Sequence, residues 1–598
     1  MHSLLQYPFD PNAILQKRRR IRRALLSQER PRITQRIAVL GGSTTHDVIE
    51  ILELFLLDCG VKPLFYESEF GKFYEDACFG DLLIEGQRPD IVFFHTGRRN
   101  ITAFPRMKDT DRSAELLLDA EFARFQTAWE KIADRYGAVI IQNNFELPDH
   151  RLLGNLDATD ARGQVSFLRR MNERFAAYAR THPNFYINDI AYLSACYGLD
   201  RWSDSQAWYL YKYQLAIPAI PYLAQSVAHI AASLLGQRKK ALALDLDNTL
   251  WGGVVGDDGE AGLEIGHETP VGQSYSAFQE YVLRLKETGV LLAVNSKNDL
   301  ENAISGLDHP EGTLRPDDFS VICANWRNKD ENLLEIAQTL NILPNSIVFF
   351  DDNPAERALV SAQLPEVSVP EPGAAEDYIR ALDRGGYFEA TRLSADDLKR
   401  SEMMQENAAR QKAQASFSDY GQYLRALEMH AVIRPFDEIY LPRITQLTNK
   451  SNQFNLTTRR YQQTELTMIA RDGGRITRYG KLTDRFGDNG VVSVLIGRIE
   501  NETLHIELWL MSCRVLKRGM ECAMLDELAR ACRTRGLRQI AGYYFPTEKN
   551  GMVRSFYGEM GFDKVKEAPD GASVWRLDLS GYENRNQYIK ISNEVEDV

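Results

Sequence analysis

Two aspartates two residues apart, Asp245 and Asp247, close a short apolar run, Leu242-Ala243-Leu244. Along an extended strand alternate side chains point the same way, so both carboxylates are expected on one side of a strand end. Held that close they repel, unless a cation lies between them or one keeps a proton. Mg²⁺ meets the first condition, being a hard ion that takes one or two carboxylates together with phosphate oxygens and waters. Asp245 can then attack phosphorus and carry an acyl-phosphate. Asp247 is placed to protonate the leaving oxygen and later to activate water. Thr249, two residues on, is counted with the substrate-binding residues and is placed to orient Asp247.

Three further strand ends follow in order. The apolar run 289–294 leads through Asn295 into Ser296-Lys297-Asn298, where a hydroxyl and backbone N–H groups can hold phosphoryl oxygens. Asn298 taken alone reads better as a helix cap or loop turn. Lys329 stands near the start of a helical stretch over 331–340 and can neutralise a pentavalent transition state. The run 347–350 then delivers Asp351-Asp352, one of which completes a Mg²⁺ shell with Asp245 and Asp247. Asp245, Asp247, Ser296 and Lys329 form the expected catalytic set, with Thr249, Lys297 and Asn298 on the substrate. Helix caps alone do not explain such a series.

These residues need a sheet to hold them. A chain of 598 residues exceeds one hydrophobic core and is expected to divide. Short apolar runs at 37–40, 90–94 and 138–142 alternate with helical patterns, the rhythm of a parallel sheet flanked by helices. The same rhythm repeats over 239–382 with new strands. Beyond it the strands lengthen and the helices thin out, as in an α+β domain. The expected division is an α/β domain over 1–236, a second α/β domain over 237–385, a helical linker over 386–428 and an α+β domain over 429–598.

Composition excludes several classes. A net charge of −12 disfavours a general nucleic-acid binder, which needs a basic face. The basic run Lys17 to Arg23 reads as the solvated face of a helix. Seven cysteines without ligand spacing argue for reduced thiols in the cytosol and against a zinc site. No run of about 18 apolar residues offers a membrane span, and the first twelve residues lack the pattern of a signal peptide.

The order Asp/Asp, Ser, Lys, Asp/Asp is similar to the motif series of the HAD superfamily. The continuation Asp247-Asn248-Thr249-Leu250-Trp251-Gly252-Gly253 narrows the resemblance to the FkbH-like branch, HAD subfamily IIIC. Asn325-Trp326, Phe350-Asp351-Asp352-Asn353-Pro354, Gln446 to Arg460, Phe486-Gly487-Asp488-Asn489-Gly490 and Leu510-Met511-Ser512-Cys513-Arg514-Val515 extend it over nearly the whole chain. It implies three folds: SGNH/flavodoxin-like α/β, HAD Rossmann-like α/β and GNAT-like α+β. It also implies loading of a three-carbon unit from 1,3-bisphosphoglycerate onto an acyl carrier protein, with loss of phosphate. The carrier's phosphopantetheine arm would lie beside a splayed strand of the third domain. Alternatives are a plain phosphatase for a small metabolite in a secondary-metabolite, polyketide or polysaccharide pathway, and a non-catalytic scaffold.

In that third domain Cys513 is the candidate acyl-bearing thiol, with Arg514, Arg518 and Gly519 on the phosphates of the arm. Two departures stand against it. Lys517 holds a position where the GNAT pattern has glycine, and Ala241 one where the family has a cysteine. The 446–460 stretch, dense in amides, hydroxyls and arginines, reads either as a recognition segment or as a capped helix on the sheet. In the first domain Gly42-Ser43 resembles the nucleophile position of SGNH hydrolases, yet no histidine follows over 204–215 to activate it. A binding or docking role is expected there.

Overall fold

The computed structural model describes residues 3–28, 31–393, 406, 410, 417, 419–450, 454–512, 515–547 and 550–592. They fall into two compact units, Met1–Lys239 with Ser368–Thr391, and Lys240–Val367 with Arg392–Val598.

The first unit is built on five parallel strands, β1 (Ile33–Gly41), β2 (Val61–Glu67), β3 (Ile91–His95), β4 (Val139–Asn143) and β5 (Phe185–Asn188). Their spatial order, β2-β1-β3-β4-β5, is a doubly wound one, with its crossover point between β1 and β3. Ile37, Val39, Ile91, Phe93 and Ile141 face the helices Pro11–Leu26, His46–Asp58 and Ile220–Leu234. Ala38, Leu40, Val92, Phe94 and Ile140 face Asp111–Tyr136 and Gln164–Thr181. Strands covered on both faces need continuous apolar runs, which is why these read without alternation.

In the helix Pro11–Leu26, Ile14, Ile21 and Leu25 are buried, and Arg18 and Arg22 reach Glu50 and Glu53 at 2.7 Å each. Two members of the basic run are thus paired within the unit. Ser368–Thr391 also belongs to this unit. The Ser233 hydroxyl donates to the Glu389 carbonyl at 2.8 Å and the Lys239 N–H to the Tyr387 carbonyl at 3.0 Å. The stretch expected to close the second α/β domain at 385 is therefore divided, because Tyr378, Leu382 and Tyr387 bury themselves in the first unit.

The second unit contains two sheets. One has four parallel strands, β6 (Ala241–Leu244), β7 (Leu291–Ser296), β8 (Val321–Ala324) and β9 (Ile347–Phe350), in the order β8-β7-β6-β9. The other has eight strands: β10 (His430–Arg434), β11 (Arg475–Asp484), β12 (Gly487–Glu500), β13 (Thr503–Met511), β14 (Gln539–Tyr544), β15 (Asp563–Glu567), β16 (Ser573–Asp578) and β17 (Lys590–Ser592). Its order is β15-β16-β14-β13-β12-β11-β10-β17, mostly antiparallel, with the pairs β13–β14 and β10–β17 parallel. Of the expected linker, the helix Tyr420–Ala426 is described. Among the described residues no helix is long and apolar enough to cross a membrane.

Candidate active site

Strand register sets this site before any side chain is considered. Leu244 stands beside Val294 on one side and Phe350 on the other, so the next residues out are Asp245, Asn295 and Asp351. The Asp245 N–H still donates to the Phe350 carbonyl, at 3.0 Å. Ser296 ends β7 one residue further out and is buried. Lys329 opens the helix Lys329–Thr339 after β8, and the Asn295 amide holds its carbonyl at 2.9 Å.

The Lys329 ammonium lies 2.7 Å from Asp245 Oδ2 and 2.5 Å from Asp351 Oδ2. All three groups are nearly sealed, at 2%, 8% and 0% exposure. Burial alone would lower the lysine's pKa, but Asp245 and Asp351 outweigh it and hold the ammonium above its ordinary value. Burial, with the charge of Asp245, pushes the Asp351 carboxyl up to about 6 and raises Asp352 as well. Three carboxylates thus share one ammonium. One oxygen from each of Asp245, Asp351 and Asp352 lies within 4.8 Å of the others, and Asp245 Oδ1 is buried with no hydrogen-bond partner among the described residues. A buried carboxylate oxygen facing no donor is costly, and a hard divalent cation such as Mg²⁺ fits these donors.

Asp247 does not join that group, which corrects its expected place among the metal ligands. Its Oδ1 accepts from the Trp251 indole at 3.0 Å and the Val255 N–H at 3.1 Å, and its Oδ2 from the Asn298 amide at 3.0 Å. The alternation assumed for an extended strand stops at Leu244, where β6 ends, and Asn248 turns the chain with φ 54°. Burial raises the Asp247 pKa against the Val255 and Trp251 hydrogen bonds. A carboxyl that keeps its proton more readily than usual suits an acid.

The expected substrate residues fare differently from one another. Thr249 is fully buried and accepts the Asp352 N–H at 3.3 Å, so it shapes the Asp352 turn instead of orienting Asp247 or touching a ligand. Lys297 is paired with Glu356 at 2.6 Å. Asn298 steadies Asp247. Trp251, Asn295 and Asn332 were not expected in the site. Trp251 holds Asp247, and Asn332 donates to Asn295 at 3.2 Å. An asparagine inside the apolar run of β7 was the one available signal. Gly306 makes room for Trp251, since a Cβ there would fall 2.7 Å from the indole ring.

In the eight-stranded sheet, β13 and β14 pair only over Thr503–His505 and Gln539–Ala541 before they part. The gap is filled by the chain itself. The Leu456 N–H donates to the Trp509 carbonyl at 3.2 Å, the Met511 N–H to the Phe454 carbonyl at 3.1 Å, and the Phe545 N–H to the Leu456 carbonyl at 2.9 Å. Phe454 and Leu456 are buried in the core, so this part of the 446–460 stretch is structural. Cys513 and Arg514 lie outside the described residues. Arg518 is turned to Asp484 at 3.3 Å instead of standing open for the expected phosphate contact. Glu521, in the first turn of Met520–Thr534, supplies the anion that this helix end attracts.

Residues 79–232 match the model of the FkbH N-terminal domain. The N-terminal part of protein BF1531 from Bacteroides fragilis, described as containing a phosphatase domain complexed with Mg, is 28% identical, with a TM-score of 0.57 over 63% of this chain and 99% of that one. The ribosomal-protein-S18-alanine N-acetyltransferase from Escherichia coli is 14% identical over 26% of this chain and 96% of that one, with a TM-score of 0.20. Ard1 from Thermoplasma volcanium is 19% identical over 25% and 97%, also at 0.20. No curated protein matches the chain. Residues 79–232 thus resemble the FkbH N-terminal domain, and they are followed by the HAD-type arrangement of Asp245, Lys329 and Asp351.

Proposed function

We propose that this chain is a Mg²⁺-dependent HAD-type phosphatase acting through an aspartyl-phosphate at Asp245. The observation that carries the reading is the unpartnered Asp245 Oδ1, beside an Oδ2 held by Lys329 at 2.7 Å. Oδ1 attacks phosphorus, the bond from phosphorus to the leaving oxygen breaks, and the Asp247 carboxylic acid gives that oxygen its proton. Water then attacks phosphorus, Asp247 takes the water's proton, and the phosphorus–Asp245 bond breaks to release phosphate. Lys329 neutralises charge on the transferring group. Asp245, Asp351 and Asp352 would hold Mg²⁺, which would supply further charge neutralisation there.

The finer reading is a phosphorylated three-carbon acyl donor of the 1,3-bisphosphoglycerate type, loaded onto an acyl carrier protein. Its phosphate ester suits the Asp245 chemistry. Its acyl phosphate suits attack by a thiol, on Cys513 or on a phosphopantetheine arm, with phosphate leaving. The family resemblance supports this reading. The occupied edge of β13 and the Arg518–Asp484 pair favour a second one, a phosphatase for a small metabolite without carrier loading.

The test incubates the protein with Mg²⁺, 1,3-bisphosphoglycerate and a phosphopantetheinylated carrier, and reads phosphate release and the intact mass of the carrier. Asp245→Asn is expected to release phosphate at least about a thousandfold more slowly. A glyceryl adduct on the carrier supports loading, and its loss in Cys513→Ala names the thiol. Phosphate release without any adduct supports the plain phosphatase. Unchanged release by Asp245→Asn refutes the aspartyl-phosphate route.

A further inference from the structure

A second set of buried polar groups lies in the first unit, at the carboxyl ends of β1, β3 and β4, where an open parallel sheet receives ligands. Nothing in the phosphoryl chemistry uses it. A row of hydrogen bonds crosses the sheet towards β1. The Ser226 hydroxyl donates to Asn188 Oδ1 at 2.7 Å, Asn188 Nδ2 to Asn143 Oδ1 at 2.7 Å, and Asn143 Nδ2 to His95 Nδ1 at 3.3 Å. With the amides as they stand in the structure, each is engaged at both ends and the row runs from Ser226 to His95. His95 Nδ1 accepts, so the ring proton sits on Nε2. Burial pushes the His95 pKa down to about 4, which keeps the ring neutral. Nε2 is buried and meets no partner among the described residues. Since β3 lies between β4 and β1, a ring whose Nδ1 meets β4 presents Nε2 towards β1.

There β1 delivers Gly41-Gly42-Ser43. The Asn100 amide donates to the Gly42 carbonyl at 2.8 Å and accepts the Gly97 N–H at 3.0 Å. The Thr44 N–H donates to the Lys212 carbonyl at 3.0 Å, and the Thr44 hydroxyl to the Tyr211 carbonyl at 2.6 Å. These ties draw the 95–100 turn and the 211–214 segment against Ser43. Among the described residues Ser43, 1% exposed, has an unpartnered hydroxyl, and Gln214, 3% exposed, an unpartnered Oε1. Only glycine at 97 allows this closure, because a Cβ would fall 1.3 Å from Gln214 Nε2 and 2.7 Å from Glu146 Oε2.

Two donors, His95 Nε2–H and the Ser43 hydroxyl, and one acceptor, Gln214 Oε1, are thus buried without partners among the described residues at this sheet end. We propose that this sheet end binds the amide group of a small molecule, its carbonyl oxygen accepting from His95 and Ser43 and its N–H donating to Gln214. An anion would meet the Gln214 oxygen with little cationic help. Arg98 is committed to Asp149 and Glu146 at 3.0 and 3.7 Å, and Arg99 lies 4.5 Å above the Trp208 ring. The His95 tautomer also excludes an activated serine. A nitrogen that already bears its proton cannot take the one on Ser43, so Ser43 binds and does not attack.

The full chain is titrated with N-methylacetamide by ligand-observed NMR, beside Ser43→Ala and Gln214→Leu and with sodium acetate as competitor. Saturable binding by the parent is expected, weakened about five- to tenfold in each variant, as for loss of one neutral hydrogen bond. Acetate is expected neither to bind nor to compete. No saturable binding, equal binding by all three proteins, or displacement by acetate overturns the proposal. So does labelling of Ser43 by a fluorophosphonate, read by peptide mass. Melting curves identify a variant that has lost its fold, and the discrimination between amide and acetate by the parent decides the question without either variant.

Discussion

At the carboxyl end of β6, Asp245 Oδ1 faces no donor, whereas along β13 the Trp509 carbonyl and the Met511 N–H already meet Leu456 and Phe454. Both places have the local ingredients of a ligand site: a strand that ends or parts from its neighbour, basic side chains, and a helix beginning nearby. They differ in what the chain does with its own groups. Around Asp245 three acids share one lysine, which leaves charge for something else to meet. Around β13 the backbone is closed by residues 454–456, and Arg518 by Asp484. Ligand chemistry is thus read from polar groups left unanswered, more than from the residue types present.

The largest test of that contrast is Lys329→Met. It leaves Asp245 and Asp351 facing each other in a sealed site, and phosphate release is expected to fall roughly 10²–10³-fold. Removing one partner of a buried charge pair should also cost about 3–5 kcal/mol in a denaturation experiment without Mg²⁺. Added Mg²⁺ should recover part of the stability and little of the rate. Full recovery of the rate would show that the ammonium only balances charge. On the other side of the comparison, Leu456→Ala should cost about 2–5 kcal/mol of stability, as for a buried leucine, with phosphate release unchanged. A variant that instead bound a phosphopantetheinylated carrier more tightly than the parent would show that 454–456 gives way to the arm.

The sheet-end cluster was legible because strand ends and register obey local rules: four apolar runs ending in Asp245, Ser296, Ala324 (with Lys329 beyond it) and Asp351 leave few ways to assemble. What was not legible depended on departures from those rules or on distant chain. Asp247 left the metal group because β6 stops at Leu244 and Asn248 takes a positive φ. Thr249 went to Asp352, which is 103 residues away. The return of Ser368–Thr391 to the first unit has no local pattern, since its apolar residues serve any core equally well. The filled gap at β13 was hidden for a similar reason. Phe454 and Leu456 sit among amides and arginines that read as a recognition surface.

A smaller effect is expected from Trp251→Phe. The indole N–H stabilises the charged form of Asp247, so its removal should raise a pKa that burial already raises. If Asp247 protonates the leaving group, the alkaline fall of kcat/KM should move to higher pH while the maximal rate changes little. A shift to lower pH would place another group on that limb.

The smallest effect is expected at Arg518, the residue placed on a phosphate by motif alone. Asp484 is fully buried, and it keeps Arg410 at 2.8 Å, the Phe486 N–H at 2.9 Å and the Asn489 amide at 3.2 Å when Arg518 is removed. The paired charge that remains is therefore still answered, and Arg518→Ala should cost about 1 kcal/mol or less. Its effect on carrier or coenzyme A binding, read by calorimetry, should be absent. A tenfold or greater loss of affinity with an unchanged melting temperature would mean that Arg518 leaves Asp484 for a ligand phosphate. The contrast between an unanswered site at Asp245 and an answered one at β13 would then hold only for the chain by itself.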